Sequence, residues 1–160
     1  MLEEQVLDVR LHDRASFHCG VPALDEYLHK YAAQQNANGI STVFVLVDDA
    51  APSKILGFYT LSAAQVGVQQ LSDMERKKLP RYPVPCFRMG RMARAIESRG
   101  AGLGEVLIGC AVDRCLHARS LVGAYALLVD AKDEKAKSFY ERYGFIPCFD
   151  ALMTLYLPLG

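Results

Sequence analysis

The chain has 160 residues and no net formal charge, and 51% of its residues are apolar while 22% are charged. These values suit one folded domain with a substantial core and exclude a chain that is disordered throughout. No apolar run approaches the roughly 20 residues that a membrane-spanning helix needs, and the acidic N-terminus lacks the basic and apolar stretches of a signal peptide. We therefore expect a cytoplasmic protein that does not enter a membrane, with a single domain over residues 1–160.

The first half of the chain predicts strands around one helix. Residues 4–10 favour a first strand, and apolar residues recur at helical spacing over residues 20–39. Residues 41–48 and 55–66 are rich in β-branched and aromatic side chains, which predicts an antiparallel hairpin with a long loop. The polar stretch over residues 71–85 contains three prolines, which predicts a short helix followed by a stiff extended loop.

In the second half, strands and helices alternate. Residues 87–95 and 125–130 predict strands, and residues 102–117 carry one apolar stripe, which predicts a helix. Residues 132–143 predict a second helix, and residues 151–157 a last strand. The order of elements predicts an α+β (α/β mixed) fold around one mixed sheet.

Five cysteines are scattered along the chain, an odd number without a C-x-x-C pair. That pattern suits neither a disulfide framework nor a zinc site. Cys110 and Cys115 fall on one predicted helix, where a separation of five residues places them roughly 140° apart around the axis and prevents a bond between them. We expect reduced cysteines that serve as small core residues, and we expect no metal site.

Basic residues are concentrated in one segment. Residues 76–99 carry eight Lys and Arg residues against Glu97 alone, a net charge of +7, although the chain as a whole is neutral. Such an asymmetry favours contact with an anion, while a solvated face with scattered ion pairs is the alternative. Within this segment the candidate substrate-binding residues are Lys77, Lys78, Arg81 and Arg91.

A glycine-rich turn, residues 99–104 (RGAGLG), lies between a predicted strand and a predicted helix. Glycines allow a ligand to approach the backbone closely, and the N-terminus of the following helix attracts an anion, so the segment predicts a phosphate-binding loop with Arg99 at its rim. The spacing fits neither the dinucleotide fingerprint nor the NTP-binding P-loop. A tight turn that binds nothing is the alternative.

A second motif, residues 136–145 (AKSFYERYGF), places aromatic side chains on one helix face and ends at Gly144, where a left-handed cap is expected. An aromatic stripe at this spacing is more often core than catalyst, so the motif alone favours a structural role for Tyr140.

Together the two motifs resemble the GCN5-related N-acetyltransferase (GNAT) superfamily, through R-x-x-G-x-G at residues 99–104, the strand residues 89–93 (MGRMA) and A-x-x-F-Y-x-x-x-G-F at residues 136–145. The resemblance implies the GNAT fold, a central mixed and mostly antiparallel sheet of about six or seven strands with helices on both faces. It implies that main-chain amides hold the pyrophosphate of acetyl-CoA, and that Tyr140 protonates the leaving thiolate. The implied cofactor-binding residues are Met92, Ala93, Arg94, Arg99, Gly100, Ala101, Gly102, Leu103 and Gly104.

Three further segments resemble the acetyltransferase toxins of bacterial toxin–antitoxin pairs: residues 17–28, residues 57–62 (GFYTLS) and residues 79–85 (LPRYPVP). That branch implies acetylation of the α-amine of aminoacyl-tRNA, a ribbon-helix-helix antitoxin partner and a homodimer. Two features depart from the branch, namely Arg94-Ala95 after the strand motif and the neutral net charge. There are two alternatives. One is an N-acetyltransferase of a small amine or a protein, and the other is a catalytically silent module that binds CoA or a protein. Glu26, His29 and Asp130 are possible general bases.

Overall fold

The computed structural model describes all residues 1–160. Its strands are β1 (Leu2–Val6), β2 (Thr42–Asp48), β3 (Gly57–Val66), β4 (Val84–Arg94), β5 (Ala126–Asp130), β6 (Ile146–Pro147) and β7 (Thr154–Pro158). Its α-helices are α1 (Pro22–Glu26), α2 (Ala32–Ala37), α3 (Asp73–Arg76), α4 (Leu103–Ala118) and α5 (Glu134–Arg142). A π-helical segment covers Tyr27–Tyr31, and short 3₁₀ turns cover Val68–Gln70 and Ile96–Ser98.

The strands form a seven-stranded sheet in the order β1-β2-β3-β4-β5-β7-β6. The pairs β1–β2, β2–β3, β5–β7 and β6–β7 are antiparallel, whereas β4 and β5 are parallel, with a register from Cys86–Ala126 to Met89–Val129. The prediction of a mixed and mostly antiparallel sheet is confirmed. None of the helices combines the length and the apolar character that a membrane crossing requires.

Several predicted elements were wrong in their extent. Strand β4 begins at Val84, inside the loop predicted over residues 71–85, and β7 begins at Thr154 rather than at residue 151. The first strand ends at Val6 rather than residue 10, because the main-chain N–H of Asp8 donates to Nδ1 of His12 at 2.9 Å and closes a turn. The helix predicted over residues 20–39 is divided by the π-helical segment, a local widening that helical spacing does not reveal. The two-residue strand β6 is too short to leave a pattern and was missed.

The first compact unit contains Met1–Ser62 and Gly90–Ala111. Its core gathers the inward side chains of β2 and the apolar face of the helical run, and Phe58 is fully buried at its centre. The Phe58 ring packs edge-on against Phe17, with ring centroids 5.5 Å apart, and stacks against Tyr27 at 6.2 Å. These contacts fix the helical run that carries Tyr27.

The second compact unit contains Ala63–Met89 and Val112–Gly160. Its core includes Val84, Cys86, Leu128 and Tyr156, with Leu79 packed at its margin. Four of the five cysteines, namely Cys19, Cys86, Cys115 and Cys148, are buried, which agrees with the prediction that they serve as small core residues. The division of the chain into one domain or more stays a prediction.

Candidate active site

The glycine-rich turn leads directly into α4, which begins at Leu103. Gly100 and Gly102 adopt φ values of +82° and +75°, a region that disfavours side chains, and a Cβ at either position would meet no protein atom within 4 Å. The main chain is therefore open on this side. The first amides of α4 have no partner within the helix by its geometry, so they can donate to an anion that approaches the glycines.

Not every amide of the turn is available. The N–H of Arg99 donates to the carbonyl oxygen of Ile96 at 3.3 Å, and the N–H of Ala101 donates to that of Ser98 at 3.2 Å. These bonds shape the turn itself. The donors that remain for a ligand belong to the glycines and to the start of α4, including Leu103 and Gly104.

Arg99 is exposed, and its side chain lies over a second turn, centred on Gly20. Gly20 has φ +88°, and a Cβ there would stand 2.9 Å from a guanidinium nitrogen of Arg99. The main chains of the two segments also join, because the N–H of Ile96 donates to the carbonyl oxygen of His18 at 2.8 Å. Gly20 thus makes room for the guanidinium at the rim of the glycine-rich turn.

The Gly20 turn is braced by a buried carboxylate that the sequence did not reveal. Asp25 accepts the main-chain N–H of Cys19 at 2.8 Å and pairs with Nδ1 of His18 at 2.9 Å. Burial acts to raise the pKa of Asp25, but the hydrogen bonds from Cys19 and His18 outweigh it and hold that pKa below its usual value. An isolated aspartate early in a helix gives no signal that its partners lie six and seven residues upstream.

The end of β4 supplies Met92, Ala93 and Arg94. Ala93 is buried, whereas Arg94 is exposed. A Cβ at Gly57 would approach both the carbonyl oxygen of Ala93 and Cδ1 of Leu107 to 3.0 Å, so this glycine lets β3, β4 and α4 pack closely. That role explains the glycine at the start of the motif at residues 57–62.

Arg91 on β4 is held over the ring of Tyr27 in the π-helical segment, with its Cζ 3.9 Å from the ring centroid. Its main-chain N–H donates to Oγ1 of the buried Thr60 at 3.1 Å. Tyr27 is itself fixed by a hydrogen bond of 2.9 Å from its hydroxyl to Oε1 of Gln35. Arg91 is exposed, and its contact with the Tyr27 ring orients its guanidinium.

Tyr140 lies on α5, which starts at the N-cap Asp133, where the carboxylate accepts the N–H of Ala136 at 2.8 Å. The Tyr140 ring is 8% exposed and packs edge-on against Phe139 and Phe145. Burial, with a smaller contribution from Asp130, raises the pKa of Tyr140 to about 12. The phenol therefore stays protonated at neutral pH. Gly144 has φ +92°, which confirms the predicted left-handed cap.

The three possible general bases each have another partner. Both carboxylate oxygens of Asp130 are engaged, one with Arg88 and the other by Oγ1 of Thr154 at 2.9 Å. Glu26 pairs with Lys30 at 3.7 Å, and Nε2 of His29 donates to the carbonyl oxygen of Phe17 at 2.8 Å. These contacts occupy both carboxylate oxygens of Asp130, but they leave Nδ1 of His29 and one carboxylate oxygen of Glu26 open to a further partner.

The other predicted substrate-binding residues, Lys77, Lys78 and Arg81, follow α3 and are exposed. We call residues 77–83, which join α3 to β4, the basic loop. These residues all lie in the second compact unit, whereas Arg91 and the glycine-rich turn lie in the first.

No protein-family model matches the chain. A tRNA-acetylating toxin of Mycobacterium tuberculosis (strain ATCC 25618 / H37Rv) is 35% identical over 133 residues, which cover 83% of this chain and 78% of the relative. The chain belongs to the GNAT-type acetyltransferase toxins of toxin–antitoxin systems. The predicted family, its fold and an acetyltransferase that uses acetyl-CoA are thereby confirmed.

Solved structures of this toxin family agree over nearly the whole chain. AtaT complexed with acetyl-methionyl-tRNAfMet superposes with a TM-score of 0.93 at 30% identity, over 99% of this chain and 95% of AtaT. A tyrosine-to-phenylalanine mutant of AtaT, bound to the C-terminus of the antitoxin AtaR and acetyl-CoA, superposes with a TM-score of 0.84 at 27% identity, over 99% of this chain and 93% of that one.

Proposed function

We propose that this toxin transfers the acetyl group of acetyl-CoA to the α-amine of an aminoacyl-tRNA and so blocks translation. The observation that carries the proposal is the open glycine-rich turn at the start of α4, in a chain that superposes on AtaT complexed with acetyl-methionyl-tRNAfMet. The turn fits a diphosphate because main-chain donors, a helix N-terminus and Arg99 meet there.

In this reaction the amine nitrogen attacks the thioester carbonyl, the C–N bond forms and the C–S bond breaks. Tyr140 donates its phenolic proton to the departing thiolate, and the attacking amine releases its own proton to water. A main-chain N–H near Ala93 holds the thioester carbonyl, with Met92 and Arg94 beside it. The main-chain N–H groups of Gly100, Gly102, Leu103 and Gly104 and the guanidinium of Arg99 bind the pyrophosphate, and Ala101 shapes the loop between them through its bond to Ser98.

The acceptor is an RNA, so its affinity depends on neutralised phosphates. The exposed Lys77, Lys78 and Arg81 supply that charge in the basic loop. Arg91, fixed over Tyr27, offers a rigid guanidinium for a phosphate or a base. Local charge of this kind compensates for the neutrality of the whole chain.

The proposed partners follow the family. An antitoxin neutralises the enzyme, as the complex of the AtaT mutant with AtaR suggests. We propose that the antitoxin contains a ribbon-helix-helix domain and that the toxin is a homodimer. We also propose that the toxin acts in the cytoplasm, where the tRNA substrate is found.

The test is acetylation of purified aminoacyl-tRNA with radiolabelled acetyl-CoA. The triple variant Lys77→Glu, Lys78→Glu, Arg81→Glu is expected to raise the KM for aminoacyl-tRNA about tenfold or more at low salt, with a difference that shrinks as salt rises. The KM for acetyl-CoA should stay unchanged. Labelled polyamines and peptides serve as competing acceptors, and a preference for them over aminoacyl-tRNA would favour the small-amine or protein acetyltransferase instead.

A further inference from the structure

The four-residue helix α3 precedes the basic loop and is too short to be stable alone. Its sequence, Ser72 followed three residues later by Glu75, is the pattern of a capping box, in which the glutamate would return to the N-cap amide. The Ser72 half of that pattern is absent from the structure. Ser72 makes no side-chain cap bond, and its N–H donates to the hydroxyl oxygen of Tyr156 at 3.0 Å.

The Glu75 carboxylate reaches two tyrosines of the sheet. The Tyr156 hydroxyl donates to Oε2 at 2.6 Å, the Tyr125 hydroxyl donates to Oε1, and Oγ of Ser72 donates to Oε2 at 3.0 Å. Tyr125 immediately precedes β5 and Tyr156 belongs to β7. Half-burial acts to raise the pKa of Glu75, but the hydroxyls of Tyr125, Tyr156 and Ser72, together with the main-chain N–H of Ser72, outweigh it and lower that pKa, so the carboxylate is charged at neutral pH.

Glu75 is the point at which this network joins the basic loop. Its carbonyl oxygen accepts the N–H of Lys78 at 3.0 Å, so the same residue binds the sheet with its side chain and the loop with its main chain. The segment before α3 is fixed separately, because Gln70 accepts the N–H groups of Phe149 at 3.1 Å and Asp150 at 2.8 Å. On the far side the chain is buried again at Val84, the first residue of β4.

We propose that Glu75 is a positioning residue for the RNA substrate: bonded to Tyr125 and Tyr156, it fixes the basic loop on the sheet and thereby sets the affinity for tRNA without touching it. This inference rests on the proposed function, since it takes Lys77, Lys78 and Arg81 as the RNA contacts. A loop that occupies its binding arrangement for only a fraction of the time weakens the apparent affinity by that fraction.

The sign of the effect distinguishes this role from simple electrostatics. Removal of a negative charge beside a basic loop should, by charge alone, strengthen RNA binding. Asp73 offers the matched control, because it lies on the same helix, is exposed and pairs with Arg76 rather than with the tyrosines. Glu75→Gln and Asp73→Asn change the net charge equally, but only the first weakens the bonds to the sheet.

The experiment measures steady-state acetylation of aminoacyl-tRNA by the full chain. We expect Glu75→Gln to raise the KM for aminoacyl-tRNA about tenfold, with kcat at saturating RNA and the KM for acetyl-CoA unchanged. Asp73→Asn should leave the KM for aminoacyl-tRNA unchanged or lower it. A KM for Glu75→Gln equal to or below that of the wild type, in a variant with a cooperative melting transition, overturns the proposal.

Limited trypsin digestion reports on the loop without any RNA, because Lys77, Lys78 and Arg81 are themselves cleavage sites. Cleavage in the basic loop should accelerate about tenfold in Glu75→Gln and not in Asp73→Asn. Equal rates in all three proteins would show that Glu75 does not hold the loop. If Glu75→Gln fails to fold, Tyr125→Phe keeps the charge and removes one donor, and about threefold effects of the same sign are expected.

The two proposals fail separately. If the wild type does not acetylate aminoacyl-tRNA, the proposed function falls, and the RNA part of this inference falls with it. The trypsin comparison still decides whether Glu75 holds the basic loop. If the wild type acetylates aminoacyl-tRNA and Glu75→Gln leaves its KM unchanged, the positioning role alone is rejected.

Discussion

The glycine-rich turn and the Tyr140 helix are built in opposite ways. At the turn, the chemistry belongs to the main chain: Gly100 and Gly102 adopt positive φ values, and a Cβ added at either would meet no other part of the protein within 4 Å. At the helix, it belongs to one side chain that is 8% exposed among aromatic rings. The turn binds an anion, so its main-chain N–H groups must be accessible. Tyr140 holds a proton, so its phenol must be buried. We therefore expect substitutions in the two regions to affect different kinetic constants.

The largest effect is expected at Tyr140. Tyr140→Phe keeps the ring in its aromatic environment and removes the proton donor, so kcat should fall about 100-fold or more, the usual range for a general acid. The dissociation constant for acetyl-CoA should change less than about twofold, since the hydroxyl acts only as the thiolate leaves. Isothermal titration and single-turnover acetylation measure the two quantities. If kcat and the affinity for acetyl-CoA fell by the same factor, Tyr140 would serve to pack the cofactor, and its role would not differ from that of the turn.

Gly102→Val is expected to have the next largest effect. A side chain at this position would stand where the diphosphate approaches the amides, so acetyl-CoA affinity should fall about 30-fold or more, the equivalent of about 2 kcal/mol. The substitution also strains the backbone by about 1–3 kcal/mol, because a β-branched residue disfavours positive φ.

Gly39 provides the control for that strain. It has φ +71°, a Cβ there would also meet no atom within 4 Å, and it lies in the turn after α2. Gly39→Val should therefore cost about the same 1–3 kcal/mol of stability, measured by urea denaturation, and leave acetyl-CoA affinity unchanged. Comparable affinity losses in both variants would attribute the Gly102 effect to unfolding rather than to the phosphate-binding role.

The smallest expected change concerns pH. Because burial raises the pKa of Tyr140 to about 12, the phenol should not deprotonate near the ordinary tyrosine value of about 10. With acetyl-CoA and acceptor both saturating, kcat should not decline between about pH 8 and pH 10. The contribution of the protonated phenol to stability is complete below about pH 10 and is lost as pH rises toward the folded-state value. A decline of kcat centred near pH 10 that is absent from Tyr140→Phe would mean that Tyr140 is solvated during catalysis.

Sequence reasoning recovered the features whose cause is local. Glycine spacing at residues 100–104 predicted a turn before a helix because backbone conformation depends on the residue itself. The alternation of strands and helices and the aromatic stripe with its cap at Gly144 were recovered for the same reason. The first strand was extended too far because a histidine at position 12 closes the turn at Asp8 through a side chain, which no strand pattern shows.

The features that the sequence did not reveal depend on partners that are distant along the chain. In the sequence Gly20 looks like any other turn glycine, yet the Arg99 guanidinium packed over it leaves no room for a side chain there. The sequence presents Ser72 and Glu75 as a capping box, yet tyrosines 50 and 81 residues beyond Glu75 take its carboxylate. Backbone geometry and the periodic burial of side chains depend on residues that are close in the chain, so they could be determined from the sequence. Hydrogen bonds between segments exist only once the fold has brought them within about 3 Å, so the tertiary structure alone decided them.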